Sequence, residues 1–167
     1  MSEGSIQVIC DAGPLIHLDE VECLSLLDDF AEVFVPEQVW QEVSHHRPEA
    51  LTKASIALTQ VKVVIPARSS FQALVKSLSL DLGEQAALTL MQIYPDAILL
   101  TDDAAARLAA ITLGHQVHGT IGILIRAIRR QQMSKEEILS ILQGLPNNSR
   151  TMQLIDPRFL ELKTRCY

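Results

Sequence analysis

The sequence predicts an α/β domain with three layers and a central parallel sheet of about five strands. Three observations carry that expectation. Short β-branched runs alternate with longer helical patterns along the chain. Hydrophobic residues make up 48% against 20% charged, enough for a packed core. Aromatic residues are only 4%, so Leu, Ile, Val and Ala must build that core. Strands separated by helices pair in parallel, and right-handed crossovers place helices on both faces.

The first candidate strand is IQVIC, 6–10. In VECLSLLDDF, Val21, Leu24 and Leu27 share one face, which predicts a helix over 21–30. EVFV, 32–35, is the second strand. Pro36 suits the first turn of the helix PEQVWQEVSHH, and His45 and His46 suit its C-terminal dipole. VKVVI, 61–65, is the third strand, followed by a helix over 69–80. LGEQAALTLMQIY is apolar at 86, 87, 90, 91 and 94, at helical spacing. AILLT, 97–101, and QVH, 116–118, are the fourth and fifth strands. GTIGILIRAIRR and SKEEILSILQGL are further helices, the latter opened by a Ser134–Glu137 capping box. Asp156 before Pro157 marks another helix start. With no internal repeat and no Gly/Ser-rich linker, 1–167 is expected to be one domain, with 146–167 a C-terminal helical appendage.

No apolar run approaches the roughly 20 residues of a membrane span. The N-terminus lacks the basic and apolar stretches of a signal peptide. Cys10, Cys23 and Cys166 are odd in number and have no metal-ligand spacing, which predicts reduced thiols in a cytoplasmic protein. Fourteen basic residues face 20 acidic ones, for a net charge of −6. That balance argues against a broad basic nucleic-acid surface but allows a local patch, and acids clustered around a metal.

In parallel sheets, ligands bind beyond the carboxyl ends of the strands at the switch point. Asp11 directly follows the first strand, and Asp102 and Asp103 follow the fourth after Thr101. Glu84 opens a helix at the same end, and Glu42, six residues past Pro36, must lean back to reach it. Four or five carboxylates in one cleft cannot all ionise without a counter-charge. All-oxygen surroundings suit Mg²⁺ or Mn²⁺. Such a cation supports phosphodiester hydrolysis by water, and no Ser–His or Cys–His pairing offers another nucleophile. Asp11, Glu42, Glu84, Asp102 and Asp103 are therefore the candidate catalytic residues, with Asp11, Glu84, Asp103 and Asp102 as candidate metal ligands.

Each of these residues also has a purely structural reading. Asp11 before Gly13-Pro14 fits a turn or cap, and Asp81 with Glu84 fits a capping box. Asp102 and Asp103 fit the cap and first turn of the next helix. Arg107 suits an ion pair with Asp103, four residues earlier, or a substrate phosphate. Thr120 either caps a helix or offers that helix's N–H groups to phosphate. Arg126, Arg129 and Arg130 share one helix face, either solvated or substrate-binding. His17 reads as a packed, hydrogen-bonded histidine, and Trp40 and Phe71 as core or interface residues.

The order ICDAGPLIHL, VPEQVWQEV, LDLGEQAAL, LLTDDAAAR, VHGTIGIL resembles PIN-domain proteins, most of all the prokaryotic, toxin-like branch. The resemblance runs from about residue 6 to residue 145. It implies strand order 3-2-1-4-5 and a Mg²⁺- or Mn²⁺-dependent endoribonuclease acting on single-stranded RNA. The family's acids fall on Asp11, Glu42 and Glu84, the last a glutamate where many members have aspartate. Its Thr-x-Asp pattern favours Asp103 over Asp102. The resemblance also implies a toxin of a toxin–antitoxin pair, a small antitoxin-like protein masking the cleft, and a homodimer. The alternative is a non-catalytic PIN-like module for nucleic-acid or protein binding, which metal binding would distinguish. A phosphoacceptor receiver domain fits worse, because its paired acids follow the first strand rather than the fourth.

Overall fold

Five short strands form one parallel sheet in a computed structural model that describes residues 6–53, 57–67, 70–146, 149 and 151. They are β1 (Gln7–Cys10), β2 (Glu32–Pro36), β3 (Leu58–Val61), β4 (Ile98–Leu100) and β5 (Gln116–His118). The order is β3-β2-β1-β4-β5, as expected, and every pair is parallel. The helix start at Asp156, Cys166 and nearly all of the 146–167 appendage lie outside the described residues.

The alternation of the strands sorts the core into two layers. Val8, Cys10, Val33, Val35 and Leu100 face one side. There they pack on α1 (Ala12–Glu20), α2 (Glu37–His46), α7 (Thr120–Arg129) and α8 (Lys135–Gly144). The residues between them, Ile9, Phe34 and Leu99, face α4 (Ser70–Leu78), α5 (Leu82–Ile93) and α6 (Ala104–Thr112). A strand buried on both faces needs this unbroken apolar run. The short α3 (Glu49–Thr52) is tied back to α1, whose buried Asp19 carboxylate accepts from both Arg47 and Lys53. Among the described residues, no helix is long and apolar enough to cross a membrane.

Two elements depart from the sequence reading. The segment 21–30 holds a 3-10 helix, Leu24–Asp29, rather than an α-helix. Val21 is instead the C-cap of α1, and Glu22 turns to a φ of 56°, through which an α-helix cannot run. The third strand lies at 58–61 rather than 61–65. Its ladder ends where Val61 meets Pro36, because β2 there gives way to α2. Beyond that point Val63 and Ile65 pack into the core without pairing. Helix α1 starts across Gly13-Pro14, and of the two structural readings of Asp11, turn or cap, the cap is the one found. Pro14 sits in the first helical turn, where its missing N–H leaves no bond unmade.

The turn from β5 into α7 passes through Gly119, the N-cap of α7. Its φ of −109° is open to any residue. Space is what restricts it, because a Cβ there would stand 2.6 Å from Asp102 Oδ1 and 3.2 Å from Arg107 Nη1. Asp102 is pinned by several bonds and has no room to yield. Gly119→Ala should therefore cost about 1–3 kcal/mol in urea denaturation, as overpacking does. At Gly122 a Cβ would meet His118 Cβ at 3.4 Å, so Gly122→Ala should change stability by less than about 1 kcal/mol.

Candidate active site

Asp11 stands at the switch point between β1 and β4. Its backbone N–H donates to Leu100 O at 2.9 Å, extending the parallel ladder by one bond. Its side chain caps α1, with Oδ1 accepting from Ala12 N–H at 2.8 Å. Oδ2 accepts the Thr101 hydroxyl at 2.7 Å. Burial pushes this carboxyl up from 3.8 to about 6, the two donated bonds oppose the shift, and Asp81 and Glu42 add repulsion.

Helix α5 delivers two more acids to the same end of the sheet. Asp81 is its N-cap and Glu84 its third residue, joined in a reciprocal capping box at 2.8 Å in both directions. Gly83 between them is what admits Glu42 from α2. A Cβ on Gly83 would lie 3.3 Å from Glu42 Oε2 and 3.4 Å from Asp81 Oδ1. Glu42 thus leans back to the cleft as the sequence required. Asp103 caps α6, with Oδ1 accepting from Ala106 N–H at 2.8 Å, and remains exposed. Burial, then the charges of Asp81, Asp103 and Asp11, push Glu84 up from 4.5 to about 7. Five carboxylates therefore act on one another at this edge: Asp11, Glu42, Asp81, Glu84 and Asp103. The sequence reading missed Asp81 as a member. The available signal was an acid at the N-cap of a helix that opens on the carboxyl edge.

The other half of the aspartate doublet turns away. Asp102 Oδ1 accepts from Thr120 N–H at 2.7 Å, while Oδ2 accepts the Thr120 hydroxyl and the His17 ring N–H at 2.9 Å. Burial alone would raise this carboxyl, but His17 and Thr120 together hold it below the usual range. Its charge therefore sits ionised at the N-terminus of α7, where the helix dipole favours it. Two sequence expectations change here. Asp102 is committed to His17 and Thr120 and is not gathered with the other acids. Thr120 is the first helical residue rather than the cap, is fully buried, and gives both its donors to Asp102, so it offers no phosphate contact.

The remaining candidates lie to one side of the acids. Arg107 donates from Nη1 to Thr101 O at 3.2 Å. Arg126 and Arg130 reach Asp29, and Arg129 is exposed on the same helix. Phe71 is buried and Trp40 packs against the core, as expected. Cys10 is buried and its thiol is pushed well up by burial and by Asp11 and Asp102, so it is an inert thiol.

A divalent cation fits the five carboxylates in donor chemistry and in charge. They supply hard oxygens, and burial, then repulsion among them, raises Asp11 and Glu84 towards neutral pH. Yet among the described residues no three His, Cys, Asp or Glu side chains already have their donors converged for a metal. Occupation therefore needs side-chain rotation, which the exposed Asp103 allows more readily than the doubly bonded Asp11.

A family model described as a PIN domain matches residues 7–153. The chain belongs to the PIN-domain family. PIN domains are in general nucleases and typically use divalent metal ions. The match spans every strand of the sheet and all five clustered acids of this PIN domain. No curated protein matches the chain closely enough to stand as a relative.

Two measurements check this electrostatic picture. Asp11 and Glu84 bind protons more tightly in the folded PIN domain than in the unfolded chain. In EDTA its stability should therefore fall as pH rises from about 4 to about 7. Asp11→Asn should flatten that fall by about 1–3 kcal/mol in urea denaturation at stepped pH. The depressed carboxyls of Asp102, Asp19 and Glu20 act in the opposite sense, losing their contribution only as pH falls below about 4. Secondly, Asp102→Ala should cost about 2–4 kcal/mol by leaving His17 and Thr120 without their acceptor. Asp103→Ala should lose only an exposed cap, about 1 kcal/mol.

Proposed function

We propose that this PIN domain is an endoribonuclease that hydrolyses phosphodiester bonds of single-stranded RNA, with Mg²⁺ or Mn²⁺ held by Asp11, Glu84 and Asp103. One observation carries the reading. Carboxylates from four separate elements act on one another at the carboxyl edge of the sheet, and burial, with that repulsion added, raises Asp11 to about 6 and Glu84 to about 7. Holding acids in that state opposes folding, and a site for a cation gives it a purpose.

When bound, the cation neutralises these acids, polarises a phosphoryl oxygen and activates water. Asp11 is the rigid ligand, fixed by Ala12 and Thr101. Glu84, in the first turn of α5, and Asp103, the N-cap of α6, would complete the ligand set. Glu42 Oε2, beside Asp81 across Gly83, accepts the proton of the attacking water. The water oxygen then bonds to phosphorus, the P–O bond to the leaving nucleotide breaks, and a solvent proton completes the leaving hydroxyl. Asp102 acts as a positioning residue, because its oxygens hold α1 and α7 in place. As the toxin of a pair, the chain would arrest growth on expression while an Asp11→Asn chain would not, and a small protein partner would cover this cleft.

The test is cleavage of labelled single-stranded RNA by purified protein with Mn²⁺. Asp11→Asn and Asp103→Asn should each slow it by about a hundredfold or more, about 2.7 kcal/mol of barrier. Manganese at about one hundred times its Kd should raise the wild-type Tm by about 5–10 °C. Equal cleavage by both variants would sink the assignment. A Tm unmoved by metal would favour the non-catalytic interaction module.

A further inference from the structure

Beside the acids, two cavities of about 350 and 470 Å³ open along the edge strand β5. His118 and Gly122 line both, so the two join into one groove. The smaller cavity begins at Asp102 and Arg107, and the larger runs over Phe30, Ile98 and Leu100 to Arg126, Arg129 and Arg130. Its wall is α7, about 15 Å long at 1.5 Å per residue. The groove starts close to the acid cluster, because Arg107 holds the Thr101 carbonyl and the Thr101 hydroxyl holds Asp11. In a chain of net charge −6, it collects four arginines along an apolar floor.

Arg126 and Arg130 are held in position rather than loosely solvated, while Arg129 is exposed. Arg126 lies over the Phe30 ring at 5.3 Å and donates from Nε to Asp29 Oδ2 at 2.9 Å. Arg130 Nε stands 2.9 Å from the same oxygen. Arg126 Nη2 is also 2.9 Å from that oxygen, so the ion pair is held at two of its nitrogens. Two guanidinium groups gripping one oxyanion is an arrangement that also suits phosphate. Here a carboxylate of the chain itself occupies that seat.

We propose that this groove carries the phosphates and bases of the RNA strand beyond the scissile bond, with Asp29 as a built-in competitor for the Arg126–Arg130 pair. The identity of the strand rests on the ribonuclease reading above. Arg107 and Arg129 take phosphates at either end of the groove. The apolar floor accepts a base face, an interaction that is tolerant of sequence. An acidic peptide is the rival occupant.

Binding of a short labelled single-stranded RNA in EDTA tests the groove without cleavage. Arg126→Gln with Arg129→Gln and Arg130→Gln should weaken it at least tenfold. The same triple variant should flatten the salt dependence by about 0.7 for each phosphate no longer neutralised. Arg129→Gln alone, at an exposed position that leaves the fold intact, should weaken binding about threefold. Asp29→Asn should tighten it about threefold to tenfold, an effect that a merely solvated arginine face would not produce. RNA binding unchanged in Arg129→Gln and in Asp29→Asn overturns the proposal. So does a glutamate-rich peptide that displaces the RNA and binds more tightly than it does. If these binding shifts appear while metal-loaded wild type leaves RNA intact, the groove stands and the nuclease reading fails. If cleavage is lost in Asp11→Asn while the groove variants bind normally, the outcome is reversed.

Discussion

The Asp102 carboxylate fixes the geometry on which everything else in this PIN domain depends. It leaves the end of β4 and takes its bonds from α1 through His17 and from α7 through Thr120. Three elements distant in sequence are thereby registered at the switch point of the sheet. The His17 and Asp102 side chains are each only 10% exposed, so the pairing works in a low-dielectric setting where an unmade bond is costly. Gly119 follows from the same constraint, since the close approach of Asp102 leaves no volume for a side chain.

With that anchor set, the neighbouring acids can be held in an otherwise unfavourable arrangement. Asp102 and Asp103 are adjacent in sequence, yet the first is satisfied and turned inward while the second caps α6 and faces the cleft. The doublet separates structure from chemistry within one turn of chain. Capping does similar double duty at Asp11, Asp81 and Glu84. Each helix N-terminus steadies a negative charge, and together those termini bring mutually repelling carboxylates to one edge. The dipoles soften the repulsion without removing it, and what remains adds to the burial that already raises Asp11 and Glu84.

Much of this is legible in the sequence, and the failures have physical causes. The sheet can be read because strands buried on both faces must be β-branched runs, and four of the five fall at their expected places. The third differs because an apolar run marks burial rather than pairing, and pairing is decided by where β2 ends. The helix over 21–30 fails because a single residue, Glu22, takes a left-handed backbone that no periodicity reveals. At the site, position after a strand points to Asp11 and Asp103, but sequence cannot say which way a side chain turns. Asp102 and Thr120 are misread for that reason, and Asp81 reads only as a cap.

The arrangement of charge gives the site its direction. On one side of Thr101 lie mutually repelling carboxylates, and on the other lie Arg126 and Arg130 sharing a single aspartate, Asp29. Thr101 touches both, its hydroxyl on Asp11 and its carbonyl on Arg107. A polyanion would be repelled by bare acids and attracted by the arginines. On the proposed reading, such a field would draw a phosphate chain along α7 first and admit it to the cleft once a metal is bound. Affinity and chemistry would then be separate properties of adjacent surfaces, joined through Thr101 at the end of β4.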